Sequence, residues 1–165
     1  MSRVARRRRA AAGSATVPAA LTVNVRRATR SGWVPGNAAL RRWASLALGR
    51  RARGRELSVL VVGARRSRSL NRRYRQRNYA TNVLSFAPAA PGPLLGDLVV
   101  CPEVLQREAR EQGKAVRAHW THLVIHGALH LIGYDHARPL DARRMERREV
   151  QLLRRLGVAK PYRSA

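Results

Sequence analysis

The sequence contains few acidic residues, few aromatic residues and a single cysteine. Its 165 residues include 9 Asp and Glu against 34 Lys and Arg, and no acidic residue precedes Glu56. Because Cys101 is the only cysteine, an internal disulfide is excluded, which fits a reducing cytoplasm. No apolar run approaches the roughly 18 residues that a membrane-spanning helix requires, so we expect a soluble, cytoplasmic protein without a membrane partner.

The composition also limits the number of domains. Hydrophobic residues make up 45% of the chain and aromatic residues 5%, so a core must rest on Leu, Val, Ile and Ala. A chain of this length forms one domain, which we predict over residues 19–162. Residues 1–18 combine the run Arg6–Arg9 with small residues and no apolar periodicity, which predicts a basic, disordered tail. An organellar presequence and a nucleic-acid-binding arm are the alternatives for this segment.

The charge balance indicates a polyanionic partner. The formal net charge is +25, and because Lys114 and Lys160 are the only lysines, 32 of the 34 basic residues are arginine. Arginine pairs with phosphate through a planar fork and stacks on bases, whereas lysine acts mainly as a point charge. A GC-rich genome would explain the preference for arginine over lysine, but not the shortage of acidic residues. The composition therefore favours contact with RNA or DNA.

The hydrophobic periodicity predicts four strands and about five helices. Period-two alternation and short β-branched runs indicate strands at Leu21–Val25, Leu57–Gly63, Thr81–Phe86 and Gly96–Cys101. Helical spacing of apolar residues indicates helices at Asn37–Leu48, around Leu70 and Tyr74, at Pro102–Gln112, at Val116–Ile132 and from about Asp141 to Leu156. This order predicts a single α+β domain in which the helices pack against one small, mixed, four-stranded sheet.

All five histidines lie between His119 and His136. His126 and His130 are four residues apart in a predicted buried helix, so their imidazoles project from the same face. Gly133 permits a left-handed turn that ends this helix and returns His136 toward them. Three imidazoles leave the fourth coordination position of zinc open, which is typical of catalytic rather than structural zinc. We therefore predict one Zn²⁺ per chain, bound by His126, His130 and His136.

Three neighbouring residues each have two interpretations. His119 and His122 lie upstream on the same side of the predicted helix, where they either line the cleft of the metal site or belong to the core or the surface. Asp135 either orients an imidazole through its second ring nitrogen or caps the turn. A solitary histidine is most often a core or surface residue, but three histidines at this spacing beside a glycine favour a set of ligands.

The spacing HxxxHxxGxxH overlaps the signature of the metzincin proteases except at Gly127. Those proteases carry at this position the glutamate that acts as general base. Without it, peptide hydrolysis would need another carboxylate, for which the sequence offers Asp97, Asp135, Asp141, Glu146 and Glu149. The missing glutamate argues against a protease. Zinc lowers the pKa of bound water to about 7 and so favours a hydrolytic reaction at neutral pH. The charge balance favours RNA as the substrate of that reaction.

The segment HGALHLIGYDH, from His126 to His136, resembles the signature of the bacterial YbeY family of rRNA-maturation endoribonucleases. Two further blocks resemble that family in order and spacing, namely LNRRYRQRNYATNVLSF from Leu70 and GDLVVCPEVLQREAREQGKAVRAHW from Gly96. The resemblance extends from about Leu57 to the LGVAKPY end. The N-terminal arginine run and the very basic composition are not part of the family pattern, and the ARPLD segment after His136 lacks its denser acidic patch.

The resemblance implies both a function and site residues. Members of the family are single-strand-specific, metal-dependent endoribonucleases linked to 16S rRNA 3′-end maturation and ribosome quality control. By this resemblance His126, His130 and His136 are the zinc ligands, and Arg75 is a functionally important arginine of the cleft that contacts phosphate. The implied partners are rRNA, the small ribosomal subunit and ribosome-associated proteins, with no DNA specificity. A ribosome-assembly factor that binds RNA and has a structural or weakly active zinc site is the alternative.

Overall fold

The computed structural model describes residues 20–159 and confirms the predicted α+β fold. The predicted tail, residues 1–18, lies outside the described residues, and the domain bounds of 19–162 stay a prediction. One short 3₁₀ helix, at Gly49–Ala52, had no counterpart in the sequence prediction. In chain order the other elements are β1 (Thr22–Arg27), α1 (Asn37–Leu48), β2 (Glu56–Val61), α2 (Ala64–Arg75), β3 (Val83–Phe86), β4 (Leu94–Val100), α3 (Pro102–Glu111), α4 (Val116–Leu131) and α5 (Pro139–Arg155).

The four strands form one mixed sheet in the order β1-β2-β4-β3. β1 and β4 run parallel to β2, whereas β3 runs antiparallel to β4 and forms an edge. Strand ends differ from the predicted ones by one or two residues. β1, for example, continues through Arg26 and Arg27, because these residues pair with Leu60 and Val61 of β2. Hydrophobic alternation does not reveal this extension, since side chains of an edge strand are free to be polar and exposed.

The helices cover the two faces of the sheet unequally. α1 and α4 pack directly on one face, α3 and α5 pack against α4, and together they enclose the main core. α2 covers the other face, where Leu70 packs with Val62, Leu84 and Val99 in a small second cluster. None of the helices within residues 20–159 combines the length and the apolarity needed to cross a bilayer.

The helix α4 is almost surrounded by other elements, as its continuous apolar sequence predicts. Its side chains Trp120, Val124, Ile125 and Leu129 are all fully buried. Gly127 allows α4 to lie against the sheet, because a Cβ at this position would come within 2.9 Å of Leu98 Cδ2 and 3.1 Å of Ser85 Oγ. The hydroxyl of Ser85 donates a hydrogen bond to the Gly127 carbonyl at 3.1 Å. These contacts place the C-terminal end of α4 beside the edge strand β3.

Candidate metal centre

Three histidine side chains converge at the C-terminal end of α4. His126 and His130 lie one helical turn apart, and their Nε2 atoms are 3.2 Å from each other. The ring centroid of His136 lies 5.5 Å from that of His126 and 4.9 Å from that of His130. One ring nitrogen of each histidine lies within 4.8 Å of the other two. The structure thus brings together the three residues that the sequence predicts as metal ligands.

The turn that returns His136 to the helix depends on Gly133 and Asp135. Gly133 has a φ of 92°, a left-handed conformation that favours glycine. The carboxylate of Asp135 accepts a hydrogen bond from the backbone N–H of His136 at 2.7 Å. This contact lowers the pKa of Asp135, and although burial opposes it, a further bond from the backbone of Ala137 acts in the same direction as the His136 contact. Of the two roles predicted for Asp135, the structure shows the capping of the turn.

The second ring nitrogen of each helical histidine has its own acceptor. Nδ1 of His126 lies 2.6 Å from Glu149 Oε1, and Nδ1 of His130 lies 2.9 Å from the Tyr134 carbonyl oxygen. A carbonyl oxygen can only accept a hydrogen bond, so Nδ1 of His130 carries the proton, and Nδ1 of His126 carries one when Glu149 is ionised, because an ionised carboxylate only accepts. In the neutral rings both Nε2 atoms are therefore unprotonated and direct their lone pairs toward each other.

This arrangement fits a tetrahedral metal ion. Two lone pairs that face each other at 3.2 Å repel unless a cation or a proton lies between them. Zinc–nitrogen bonds of about 2.0–2.1 Å in a tetrahedral site place neighbouring ligand atoms roughly 3.3–3.4 Å apart. The separation of the two Nε2 atoms is close to that value. The donor set of three imidazoles, two of them oriented by a hydrogen bond from Nδ1, is thus suited to zinc.

The environment of His130 favours the form that binds a metal. Burial lowers the pKa of His130, and the neighbouring His126 and His136 lower it further when they are charged. A lowered pKa keeps the imidazole neutral at physiological pH, with a lone pair available for coordination.

Glu149 is the residue of the site whose role the sequence reasoning missed. The sequence indicated Glu149 only as one of five carboxylates that could act as a base. In the structure it is fully buried on α5, and its carboxylate forms a hydrogen bond with His126. Its position carried a signal, since it lies on the apolar stripe of α5 between Met145 and Leu152, both fully buried. A carboxylate within an apolar stripe requires a buried polar partner.

A second group of potential ligands adjoins the first. His122, His126 and Glu149 also offer three atoms that lie within 4.8 Å of one another, with Nε2 of His122 3.5 Å from Glu149 Oε2. The short bond between His126 and Glu149 already accounts for this grouping, because it is the arrangement in which a carboxylate orients a metal-binding imidazole.

The remaining histidine forms a separate buried network. Nε2 of His119 lies 2.8 Å from Glu108 Oε2, and the side-chain amide of Asn82 donates to the same carboxylate at 2.9 Å. His119 and His122 line a different pocket, beside Lys114 and Val158, and so neither faces the cleft beside the metal centre. Of the two interpretations of these histidines, the structure supports the one that leaves them out of this cleft.

Arg75 lies at the metal centre although it is far from it in sequence. It is the last residue of α2, and it lines one cleft with Ser85 and Ala87 of the β3 end and with His130, Asp135 and His136. Tyr74 positions this end of α2, since its ring packs edge-on against Phe86 with the centroids 5.0 Å apart. The cleft therefore brings Arg75 together with two of the three converging histidines.

The geometry of the site provides no obvious general base for peptide hydrolysis among the residues that line the described cleft. Position 127 faces the sheet, where a side chain would meet Leu98 and Ser85. Among the residues lining the described cleft, Asp135 is the one carboxylate, and it caps the turn. Glu149 is directed to the opposite side of the His126 ring.

Comparison with known proteins gives a consistent set of matches. The family model described as "Endoribonuclease YbeY" matches residues 37–157. The protein named Endoribonuclease YbeY from Pseudomonas entomophila is 50% identical over 147 residues, which cover 86% of this chain and 93% of that protein. The protein of the same name from Stutzerimonas stutzeri is 52% identical over 137 residues, 80% of this chain and 86% of its own.

A more distant relative and a solved structure extend these matches. The Endoribonuclease YbeY of Stenotrophomonas maltophilia is 45% identical over 153 residues, covering 88% of this chain and 95% of that protein. The solution structure of TM1509 from Thermotoga maritima is 20% identical and superposes with a TM-score of 0.54, covering 87% of this chain and 100% of that chain. At this identity the structural likeness concerns the fold alone.

Proposed function

This chain belongs to the YbeY family, and we propose that it is a single-strand-specific, zinc-dependent endoribonuclease that acts in 16S rRNA 3′-end maturation and ribosome quality control. The observation that carries this proposal is the cleft in which Arg75 lies beside His130 and His136. A nuclease needs positive charge around the phosphate that it cleaves, and this cleft would provide it from two directions, the guanidinium of Arg75 and a zinc ion held by the histidines.

His126, His130 and His136 would hold the zinc ion through one ring nitrogen each. Bound zinc would supply positive charge at the scissile phosphate and favour a nucleophile at neutral pH. Glu149 and the Tyr134 carbonyl hold the two helical imidazoles in orientation, so the ligands need not reorganise when the ion binds.

Arg75 would bind the phosphate from the other side of the cleft. Its planar guanidinium can donate two parallel hydrogen bonds to the non-bridging oxygens of one phosphate. Ser85 lines the same cleft, but its hydroxyl donates to the Gly127 carbonyl, so we assign it a structural role. Whether water or the RNA 2′-hydroxyl attacks is decided by the product ends, because a 2′,3′-cyclic phosphate excludes direct attack by water.

The positive charge of the chain supports RNA as the substrate, and rRNA of the small ribosomal subunit is the RNA that we propose. A net charge of +25 gives affinity for any nucleic acid, so we attribute the choice of single-stranded RNA to the cleft rather than to the charge. Action on rRNA would place the protein in the cytoplasm. The buried Cys101, whose thiol forms no disulfide, is compatible with that compartment.

The proposal is tested by incubating the purified protein with single-stranded rRNA fragments, with and without a chelator. We expect cleavage that the chelator abolishes and that zinc restores, and no cleavage by the His130→Ala variant prepared in the same way. Cleavage that survives both the chelator and the substitution would come from a contaminating nuclease. Binding without cleavage by the zinc-loaded protein would contradict the proposal and favour the ribosome-assembly factor.

A further inference from the structure

The surface of α2 carries more positive charge than the cleft requires. The helix contains six arginines in its 12 residues and no acidic residue. Four of them, Arg65, Arg68, Arg72 and Arg75, are spaced three or four residues apart, so they follow one face along the whole helix. We call these four residues the α2 arginine stripe. It begins at the N-terminal end of α2 and ends with Arg75 in the cleft of the metal centre.

The α2 arginine stripe is exposed and lacks acidic partners. All four side chains are exposed, and in the described part of the chain none of them lies within ion-pair distance of a carboxylate. Like charges three and four residues apart repel, and two arginines in the first turn oppose the helix dipole. Such an arrangement destabilises the isolated helix, and an anionic ligand along this face would relieve the repulsion.

Three of the four residues of the α2 arginine stripe line a groove beside the helix. Arg65, Arg68 and Arg72 line it together with Asn78, which lies in the segment that runs back along the helix. Arg68 donates a hydrogen bond from Nε to Asn78 Oδ1 at 2.9 Å, which fixes one wall of the groove. The groove thus has three guanidinium-bearing side chains in its lining, one of them held by a hydrogen bond, and Arg75 follows Arg72 by one turn on the same face of the helix.

Two exposed tyrosines lie at this surface. The side chains of Tyr74 and Tyr79 are 53% and 52% exposed, which is unusual for aromatic rings, and the guanidinium carbon of Arg73 lies over the Tyr74 ring at 5.3 Å from its centroid. Tyr79 directly follows Asn78, and its hydroxyl accepts a hydrogen bond from Arg77 at 2.9 Å. Arginines interleaved with exposed aromatic rings are typical of surfaces that bind single-stranded nucleic acid, where phosphates meet cations and bases stack on rings.

We propose that the α2 arginine stripe is a phosphate track that carries single-stranded RNA from the groove at Arg65, Arg68 and Arg72 into the metal cleft. This inference rests on the proposed function for the identity of the strand. The eleven residues from Arg65 to Arg75 span roughly 15 Å of helix, so the track contacts several nucleotides on one side of the cleavage point. Efficient substrates must then extend beyond the cleft on that side.

The experiment compares two double variants that remove the same charge. Arg65→Gln/Arg72→Gln removes two members of the track, and neither side chain makes a hydrogen bond in the described structure. Arg41→Gln/Arg42→Gln removes two exposed arginines from α1, which packs on the opposite face of the sheet. Glutamine preserves helix propensity at all four positions. Binding of a fluorescein-labelled single-stranded oligoribonucleotide is followed by anisotropy over a series of salt concentrations, with a chelator present to prevent cleavage.

We expect the track variant to reduce the slope of log affinity against log salt by about 1.4, because each phosphate contact on a single strand contributes about 0.7. The α1 variant should retain the wild-type slope. Equal changes in both variants would show an effect of net charge alone, and no change in the track variant would show that the strand lies elsewhere. Either result overturns the track.

Substrate length provides the second measurement. With oligoribonucleotides lengthened stepwise on one side, wild-type affinity should rise until the strand spans the track and then level off. The same series should give the track variant a clearly smaller rise, and an unlabelled RNA duplex of equal length should compete less well than the unlabelled single strand. Equal length dependence in both proteins, or equal competition by the duplex, would contradict the proposal.

Cleavage by the zinc-loaded proteins separates this inference from the function that it assumes. If wild-type protein cleaves the RNA but the track variant binds and cleaves as wild type does, only the track is wrong. If wild-type protein shows the track-dependent binding but does not cleave, the endoribonuclease proposal fails while the binding surface stands.

Discussion

The buried carboxylate of Glu149 lies 2.6 Å from Nδ1 of His126, although 23 residues separate them in the chain. Glu149 belongs to α5 and His126 to α4, so the contact depends on the packing of these two helices. A fully buried carboxylate is unfavourable without a polar partner, and this one holds a proton donor whose other nitrogen faces His130. The pair therefore links the stability of the helix packing to the orientation of a metal ligand.

The Glu149→Gln variant should bind zinc about tenfold more weakly than the wild type, since orienting partners contribute about 10- to 100-fold to metal affinity and the amide retains part of the hydrogen bond. Glu146→Gln is the matched control, because Glu146 lies on the same helix and is exposed. Competition with a chromophoric chelator measures both affinities. Wild-type affinity in a correctly folded Glu149→Gln protein would disprove the orienting role.

Elemental analysis of two histidine variants distinguishes the two groups of potential ligands. His130→Ala should lose its stoichiometric zinc, because it removes one of three donors, whereas His122→Ala should retain about one ion per chain. His126 belongs to both groups and cannot separate them. Retention of zinc by His130→Ala together with its loss from His122→Ala would place the ion between His122, His126 and Glu149 instead.

Replacement of Arg75 by glutamine should lower the cleavage rate about 10²-fold, a magnitude typical for removal of one preorganised donor to a developing negative charge. Zinc content should stay at the wild-type level, because Arg75 is not among the converging donors. Arg147→Gln, on the exposed surface of α5, serves as the control. The assay is single-turnover cleavage of a single-stranded RNA, and a wild-type rate in the folded variant would refute the role of Arg75.

The buried pair of Glu108 and His119 predicts how stability depends on pH. Burial by itself raises the pKa of Glu108, but hydrogen bonds from His119 and Asn82 outweigh it, and the net pKa lies below the ordinary value. A carboxylate with a lowered pKa in the folded state stabilises the fold fully above its unfolded pKa. This stabilisation is lost as the pH falls from about 4.3, the ordinary pKa of glutamate, through the folded pKa.

Urea unfolding between pH 7 and pH 3 measures this contribution. The Glu108→Gln variant should lose less stability than the wild type over the acidic range, because it lacks the titrating carboxylate. Glu111→Gln is the control, since Glu111 is exposed and makes only a surface ion pair with Arg107 at 3.7 Å. If the free energy of unfolding falls equally with pH in wild type and Glu108→Gln, the ionised carboxylate of Glu108 does not stabilise the fold through His119 and Asn82.

Much of the fold could be predicted from local patterns. Helical spacing of apolar residues predicts α1, and the four that share one face of it, namely Leu40, Trp43, Ala44 and Leu48, are all buried. Along α5, Met145, Leu152 and Leu153 are buried, whereas Ala142 and Leu156, the residue that follows the helix, are half-buried. Strand ends were harder to predict, since the pairing of Arg26 and Arg27 with β2 leaves no apolar signal.

By itself, the sequence determined the positions of His126, His130 and His136 on a helix and on the turn that follows it. Helical spacing and a glycine with left-handed backbone geometry act over a few residues, so they can be read from the order of residues alone. Only the tertiary structure decided that Glu149 orients His126, and it shows how Arg75, which the family resemblance alone assigned to the cleft, reaches it. Periodicity reveals which side chains share a face of one element, whereas the meeting of faces depends on how distant elements pack.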